Sequence, residues 1–356
     1  MFFGIEFEYH PALWAGRGGA SRVLILIPGE EARLRIGVLT SGGDAPGMNA
    51  AVRAVARTAY FRGWEAMGIS AGYWGLLEGR IQPLDRRRLG GIIHRGGTVL
   101  GTERSAEFAT PEGQRRAADK LAEAGIDGLV VIGGNGSLTG GSRLAELGIK
   151  VAGVPATIDN DVWGTDSAIG VDTALNTALE AIDRIKDTAS SHQRAHIVEV
   201  MGRGSGYLAL MSAIAGGAEA AVVPEFETRP EALLLFIKKA YEQGKSHFVV
   251  VVAEGAPFSA EELHEYVNGA EGTYDSRLTV VGHIQRGGIP TASDRILASR
   301  LGTAAVEALA DGESGVMVGL RGPHVERVPL GDVVGKTKPL DPELYKMAEV
   351  LAELPE

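Results

Sequence analysis

Short apolar runs, glycine-rich turns and helical patterns alternate along the chain from Arg35 onwards. Ile36–Thr40 reads as a buried strand, and the turn Ser41–Gly47 leads into a helix over about Met48–Arg62. Trp64–Ile69 reads as another strand. Thr110-Pro111 opens a helix that runs to about Ala124, with threonine as its cap and proline pre-set for the first turn. Gly128–Ile132 and Val151–Val154 are strand-like runs, each followed by a polar loop, Gly133–Ser137 and Pro155–Asp166. Asp172 reads as the cap of a helix whose apolar positions Leu175, Ala178, Leu179, Ile182 and Ile185 follow the 3.6-residue period. Ile197–Met201, Ala220–Val223, Phe248–Ala253 and Gly315–Leu320 predict further strands, and Asp294–Ala310 a helix. This alternation predicts an α/β protein of parallel sheets with helices on both faces. Two sheets with a site between them suit the length better than one. Ligands of such sheets sit outside the carboxyl ends of the strands, so chemistry is expected in the loops at Gly42, Gly133, Pro155, Gly202 and Glu254.

Composition narrows the picture. A chain of 356 residues with 45% hydrophobic content can bury the core of one large or two ordinary domains. Fifty glycines without a period exclude collagen, and most stand at the ends of apolar runs, where α/β folds place turns and phosphate loops. A net charge of −10 makes general nucleic-acid or anionic-membrane binding a poor fit, though local arginine clusters remain. The absence of cysteine excludes disulfides and thiolate metal sites. No apolar run approaches the ~20 residues of a membrane span, so the expectation is a soluble cytoplasmic protein without nucleic-acid or membrane partners.

Residues 1–32 stand apart. They carry early acidic residues, no basic start and only the short apolar run Val23–Ile27, which is a poor signal peptide. Gly29-Glu30-Glu31 can be encoded by a purine-rich stretch and Leu34 by a rare start codon. The segment is read as an extension, with the working chain expected to begin near residue 34.

Four constellations carry candidate chemistry. Ser41-Gly42-Gly43-Asp44-Ala45-Pro46-Gly47 puts glycines between a strand and a helix N-terminus, where backbone can approach a phosphate. It has no Walker lysine, so it is not an ordinary P-loop. Gly133-Gly134-Asn135-Gly136-Ser137 repeats the logic, and two such loops suit one polyphosphate, although each alone also reads as a tight turn. Pro155-Ala156-Thr157-Ile158-Asp159-Asn160-Asp161 places two carboxylates just after a strand. Phosphoryl transfer needs a base for the attacking hydroxyl and carboxylates near magnesium; an Asx-turn without chemistry is the other reading. Arg104, Arg194, Arg203, Arg277 and Arg286, with His283, trace no repeating helical face and suit anion binding.

Together, SGGDAPGMNA at Ser41–Ala50, GGNGS at Gly133–Ser137, PATIDND at Pro155–Asp161, SSHQR at Ser190–Arg194, EVMGR at Glu199–Arg203 and GHIQRGG at Gly282–Gly288 resemble the bacterial ATP-dependent 6-phosphofructokinases. The resemblance runs from about Arg35 to Leu320. It implies two similar Rossmann-like three-layer domains with the active site between them. Residues 33–170 with 285–335 would bind nucleotide, and 171–284 with 336–356 the sugar phosphate. It implies a homotetramer that moves the γ-phosphoryl of ATP to O1 of fructose 6-phosphate with Mg2+. Asp159 matches the catalytic base, Thr157 and Arg203 groups near the transferring phosphoryl, and Arg104 a residue bridging ATP and the transition state. Gly43, Tyr73, Arg104, Ser105, Asn135, Gly136 and Ser137 match the nucleotide side, and Asn135 and Asp161 the metal positions. Thr157, Asp159, Asp161, Met201, Gly202, Arg203, Glu254, His283 and Arg286 match the sugar-phosphate side, with Arg194 and Arg277 entering from a neighbouring subunit. The resemblance also implies an effector site for ADP or phosphoenolpyruvate. Arg53 and Arg57, on one helix face, match it with Arg86, Lys186, Glu219 and Lys245.

Several positions depart from that pattern. Asn135 replaces a usual magnesium-associated aspartate, which predicts slow turnover. Ala156 replaces a glycine, and Ser105 and Ser167 stand where aromatics are usual. Lys186 replaces an arginine and Gln243 a basic residue, which predicts weak or altered effector control. A pyrophosphate-dependent relative would carry Asp at Gly136 and Lys at Ala156, so these two residues favour ATP. A non-catalytic regulatory paralogue remains the alternative that Asn135 raises.

Overall fold

The structure, a computed structural model, describes residues 33–189, 194–242, 244, 248–270 and 275–352. The extension 1–32, Gln243, Lys245 and most of the Ser190–Arg194 motif lie outside the described residues. In chain order the elements are β1 Arg35–Ser41, α1 Met48–Phe61, β2 Glu65–Ile69, α2 Gly72–Leu77, β3 Ile81–Pro83, α3 Pro111–Glu123, β4 Gly128–Gly133, α4 Asn135–Glu146, β5 Val151–Pro155 and α5 Val171–Ala189. There follow β6 Ala195–Val200, α6 Tyr207–Gly216, β7 Ala220–Val222, α7 Pro230–Glu242, β8 Phe248–Ala253, α8 Ala260–Gly269, β9 Ser276–Val280 and a 3-10 turn at Gly282–Arg286. The chain closes with α9 Ala292–Ala310, β10 Val316–Arg321, β11 His324–Pro329, α10 Leu330–Val333 and α11 Pro342–Leu351.

The strands form a seven-stranded sheet, β11-β10-β5-β4-β1-β2-β3, and a four-stranded sheet, β7-β8-β6-β9. Central strands are apolar on both faces because helices cover both. Val38, Val130 and Ala152 point into one buried cluster with α1 and α9, while Leu39, Val131 and Val151 point into another with α2, α3 and α4. Each fully buried Val or Leu is worth about 1.5–3 kcal/mol against exposure. The first cluster continues through Ala174, Ala178 and Ile182 of α5 to Val198 and Val200 of β6, so one core joins the inner faces of both sheets. Ile197, Val250 and Val252 face the opposite way, onto α7 and α8.

Two sequence expectations are corrected. The seven-stranded sheet is not all parallel: β3 pairs antiparallel to β2, and β11 antiparallel to β10. Arg321 pairs with His324 across a tight turn, and only antiparallel strands can be joined so briefly. Asp172 does not cap α5. The helix begins at Val171, Asp172 lies inside the first turn, and its carboxylate accepts the Thr291 hydroxyl at 2.5 Å. The Gly170 and Thr173 amides at that helix end, both buried, go to Asp294 instead. The pattern reading also passed over α6, α7, α8 and α11. Two of these carried local start signals: Ser259 forms a capping box with Glu262, and Asp341 caps α11 ahead of Pro342.

Candidate active site

Register gathers the loops. Gly133, the last residue of β4, pairs with Ser41 at the end of β1 on one side and with Pro155 at the end of β5 on the other. The three following loops therefore leave it side by side. A Cβ on Gly133 would lie 2.5 Å from both the Ser41 carbonyl and Ser137 Oγ, so the two glycine loops touch only because residue 133 has no side chain. α1 and α4 both start on glycine, Gly47 and Gly134, with no side-chain cap. Their N-terminal amides carry partial positive charge towards this end of the sheet. Tyr73 sets the second loop from beneath. Its ring stacks on Phe108 at 3.9 Å and its hydroxyl donates to the Ser137 carbonyl at 2.6 Å. Ring and hydroxyl are both taken up inside the protein, and burial pushes the phenol far above its ordinary range.

The third loop carries the carboxylates. The Asp159 N–H donates to Thr157 Oγ1 at 3.2 Å, and Asn160 adopts left-handed backbone (φ 50°), which asparagine tolerates better than most residues. Asp159 is 7% exposed and its Oδ1 has no hydrogen-bond partner. Burial raises its pKa, Asp161 and Glu254 add to the rise, and Arg286 and Arg203 oppose it. Asp161 is raised as well, again chiefly by burial, and the Asn135 side chain hydrogen-bonds to it and pulls the other way.

The second sheet supplies the facing wall. Val200 of β6 is level with Ala253 of β8, and Glu199 with Val280 of β9, so Met201–Arg203, Glu254 and Gly282–Arg286 emerge together. Glu254 Oε1 accepts the backbone N–H of Gly202 at 3.3 Å and that of Arg203. Arg203 is left-handed (φ 56°), which only a well-held turn sustains. Arg286 crosses between the sheets: its Nη1 donates to the Asp44 carbonyl at 3.2 Å and lies only 2.4 Å from where a Cβ on Gly43 would stand. Gln285, fully buried, accepts the Met201 N–H at 2.8 Å. The sequence carries no signal for this part: Gln285 stands between His283 and Arg286 in GHIQRGG, and only the fold shows that it alone of the three is buried.

Other expected residues lie further out. Arg104 and His283 are exposed and Ser105 is half-buried. Arg194 and Arg277 share one partner, Asp275: Arg194 meets it at 2.7 Å, and Arg277 Nη1 also bonds it. The effector candidates fall into two groups. Arg57 and Arg86 line a cavity of about 330 Å³ with Tyr60, Phe61 and Leu89, with Arg53 one turn along α1. Lys186 donates to the carbonyls of Gly216 and Gly217, and the buried Glu219 accepts the Val249 N–H at 2.6 Å. The groups belong to elements of different sheets.

Among the described residues no three His, Cys, Asp or Glu side chains converge as a metal cage. The donors present do suit magnesium, which keeps waters and is held by one or two carboxylates plus substrate phosphates. Asp161 and the side chain of Asn135, already in contact, are the fitting pair, beside the unpartnered oxygen of Asp159.

The class that this fold and its facing strand ends define is an α/β phosphotransferase. The phosphofructokinase family model matches residues 35–309. The chain is 50% identical over 318 residues to the ATP-dependent 6-phosphofructokinase of Shouchella clausii, covering 89% of this chain and 99% of that one. It is 52% identical over 328 residues to ATP-dependent 6-phosphofructokinase 1 of Thermus thermophilus, with the same shares covered. Phosphofructokinase from Saccharomyces cerevisiae superposes with a TM-score of 0.78 at 37% identity, over 90% of this chain and 46% of that chain. The chain belongs to the phosphofructokinase family.

Proposed function

We propose that the chain transfers the γ-phosphoryl of ATP to O1 of fructose 6-phosphate, giving fructose 1,6-bisphosphate and ADP. The observation that carries the mechanism is the buried, unpartnered Oδ1 of Asp159, set between the Asp161 loop and the guanidinium groups of Arg203 and Arg286. A carboxylate whose pKa is raised is a better proton acceptor. Asp159 takes the O1 proton as the sugar oxygen bonds to the γ-phosphorus and the bond to the ADP oxygen breaks. Thr157, tied to the Asp159 amide, fixes the loop beside the transferring group. Arg203 and Arg286 offset charge that builds on the equatorial oxygens. Asp161 and Asn135, together with the substrate phosphates, would hold a magnesium ion, which when bound would supply further positive charge at the same centre.

The nucleotide is assigned to the loops of the seven-stranded sheet: Gly43, the Gly136 loop held by Tyr73, and Arg104 with Ser105 at the rim. The sugar phosphate is assigned to Met201–Arg203, Glu254, His283 and Arg286. A Cβ on Gly136 would meet open space, which leaves room for a nucleoside beyond the β-phosphate and supports ATP over pyrophosphate. Arg194 and Arg277 pair with Asp275 rather than with Asp159 or Asp161, and are assigned to a neighbouring copy's sugar phosphate in a homotetramer. Arg53, Arg57 and Arg86, with Lys186, Glu219 and Lys245 from another copy, are assigned to an anionic effector such as ADP or phosphoenolpyruvate. No helix among the described residues is long and apolar enough to cross a membrane. The proposed reaction would place the protein in glycolysis, in the cytoplasm. A coupled assay with fructose 6-phosphate, comparing ATP with pyrophosphate, tests the reading. Turnover with pyrophosphate but not ATP would overturn it.

A further inference from the structure

Residues 156–170, between β5 and α5, carry both carboxylates of the site and contain no helix. Their shape is held by cross-bonds. Asn160 Oδ1 accepts the Ala168 N–H at 3.1 Å, and its Nδ2 donates to the Asp166 carbonyl at 3.3 Å. The limbs also meet at an Ala156–Ile169 bridge, and β10 holds the returning limb through Leu320, whose N–H donates to Thr165 Oγ1 and whose carbonyl accepts the Asp166 N–H. A further set of ties comes from the segment between α10 and α11. Thr337 pairs antiparallel with Val162, and Lys336 lies 5.9 Å from the centroid of the Trp163 ring. The Lys338 N–H donates to the Asp161 carbonyl at 2.9 Å. Its Nζ donates to the Asp166 carbonyl at 2.6 Å and to the Thr165 carbonyl at 3.2 Å. The Asp166 carbonyl thus receives donors from both Asn160 and Lys338. The same ammonium stands 5.6 Å from the centroid of the Tyr207 ring, and the Tyr207 hydroxyl hydrogen-bonds to the Asn160 side chain.

We propose that Lys338 is a positioning residue for phosphoryl transfer, clamping the outgoing and returning limbs of the 156–170 loop so that Asp159 and Asp161 keep their aim. One ammonium can satisfy two carbonyls at once, and charge-assisted bonds of this kind are stronger and shorter than neutral ones. Lys338 makes no bond to either carboxylate group; it acts on them through the backbone of Asp161 and through the carbonyl it shares with Asn160. The residue between the two aspartates is therefore locked from both sides. A small error in the aim of a base costs rate far more than it costs binding. The inference rests on Asp159 being the base.

Lys338→Met keeps the alkyl stem and removes the ammonium, and Lys338→Gln keeps one donor. In steady-state assays Lys338→Met is expected to lower kcat ten- to a hundredfold, with KM for ATP and for fructose 6-phosphate within about threefold of wild type. Lys338→Gln should fall between the two, and both should melt within a few degrees of wild type. If Lys338→Met does not fold, the Gln variant alone must show the fall in kcat with KM held. Unchanged kcat would overturn the proposal, and so would a parallel loss of kcat, KM and melting temperature, the sign of a merely structural part. Asp159→Ser is assayed alongside. If that variant stays active, the reading of the base has failed; if it is inactive while Lys338→Met is normal, only the clamp has failed.

Discussion

Asp294, in the first turn of α9, closes the N-terminal end of a different helix through Thr173. Its Oδ2 accepts the Thr173 hydroxyl at 2.5 Å and the Thr173 N–H at 2.8 Å, while Oδ1 accepts the Gly170 N–H at 2.8 Å. In return, Thr291, the cap of α9, donates its N–H to Thr173 Oγ1 at 3.1 Å and its hydroxyl to Asp172. The start of α5 follows the Asp159 loop, and the start of α9 follows the Arg286 turn, so this exchange locks both halves of the site to one point. Asp294→Ala strands three buried donors and is expected to cost about 3 kcal/mol of stability, with larger loss of activity at high temperature. Urea unfolding checks it; a loss under about 0.5 kcal/mol would contradict the arrangement.

Asp159→Ser is expected to lower kcat by about a hundredfold or more, with KM for fructose 6-phosphate within a few fold, since a general base acts in the transition state. Because burial and the neighbouring carboxylates raise its pKa, the acid limb of kcat/KM for the wild type should lie above the ordinary aspartate value of 3.8. Steady-state rates across pH read both effects.

Asn135→Asp exchanges a hydrogen bond to Asp161 for a like-charged pair. Without magnesium the pair repels; with it, two carboxylates hold the ion better than one. The variant is expected to show about tenfold higher kcat at saturating magnesium, ~1.4 kcal/mol of barrier, and to lose activity sooner as magnesium is withdrawn. A magnesium titration of both proteins is the check, and coincident curves would show that the carboxylate is unnecessary.

Arg277→Ala is expected to raise KM for fructose 6-phosphate by tenfold or more, since a phosphate loses a charge-assisted partner. Asp275→Asn should do the reverse and lower it a few fold, because the carboxylate that now occupies Arg194 and Arg277 competes with the incoming phosphate. A rise in both variants would show that Asp275 orients the arginines.

Lys338 also leaves a mark on stability. Burial holds its pKa at about 8, against an ordinary 10.5, with Asp166 and Asp161 opposing the fall and Arg321 adding to it. Between those two pH values the unfolded chain binds the extra proton, so this residue makes the wild type more stable as pH rises from 8 to 10.5. Lys338→Met lacks that contribution. Melting curves of both proteins from pH 7 to 10.5 should show wild type gaining relative to the variant.

Much of this was legible before any coordinates. The run Ile36–Thr40 and its counterparts at Gly128 and Val151 named the central strands, because burial on both faces demands continuous apolar sequence. Asp159 stood out by following such a run in a polar loop. What escaped depended on partners distant in sequence. Asp172 looked like a cap because its neighbours are helical, yet Asp294 fills that place from another helix. Gly335-Lys336-Thr337-Lys338 carries no apolar pattern or motif, and only the folded chain brings it onto the carboxylate loop. The edge strand β3 is too short, and β11 too exposed, to carry an alternation that announces its direction.

Trp163 lies in the loop that carries Asp161, partly exposed and close to Lys336. Trp64 is buried in the core and the Trp74 ring lies under Arg80, so among the described residues Trp163 is the indole that shares a loop with the carboxylates. The loop therefore carries its own optical label. Its emission, followed as nucleotide or sugar phosphate is added, would report on the surroundings of the carboxylates in real time, in the unmodified enzyme and without a coupled assay.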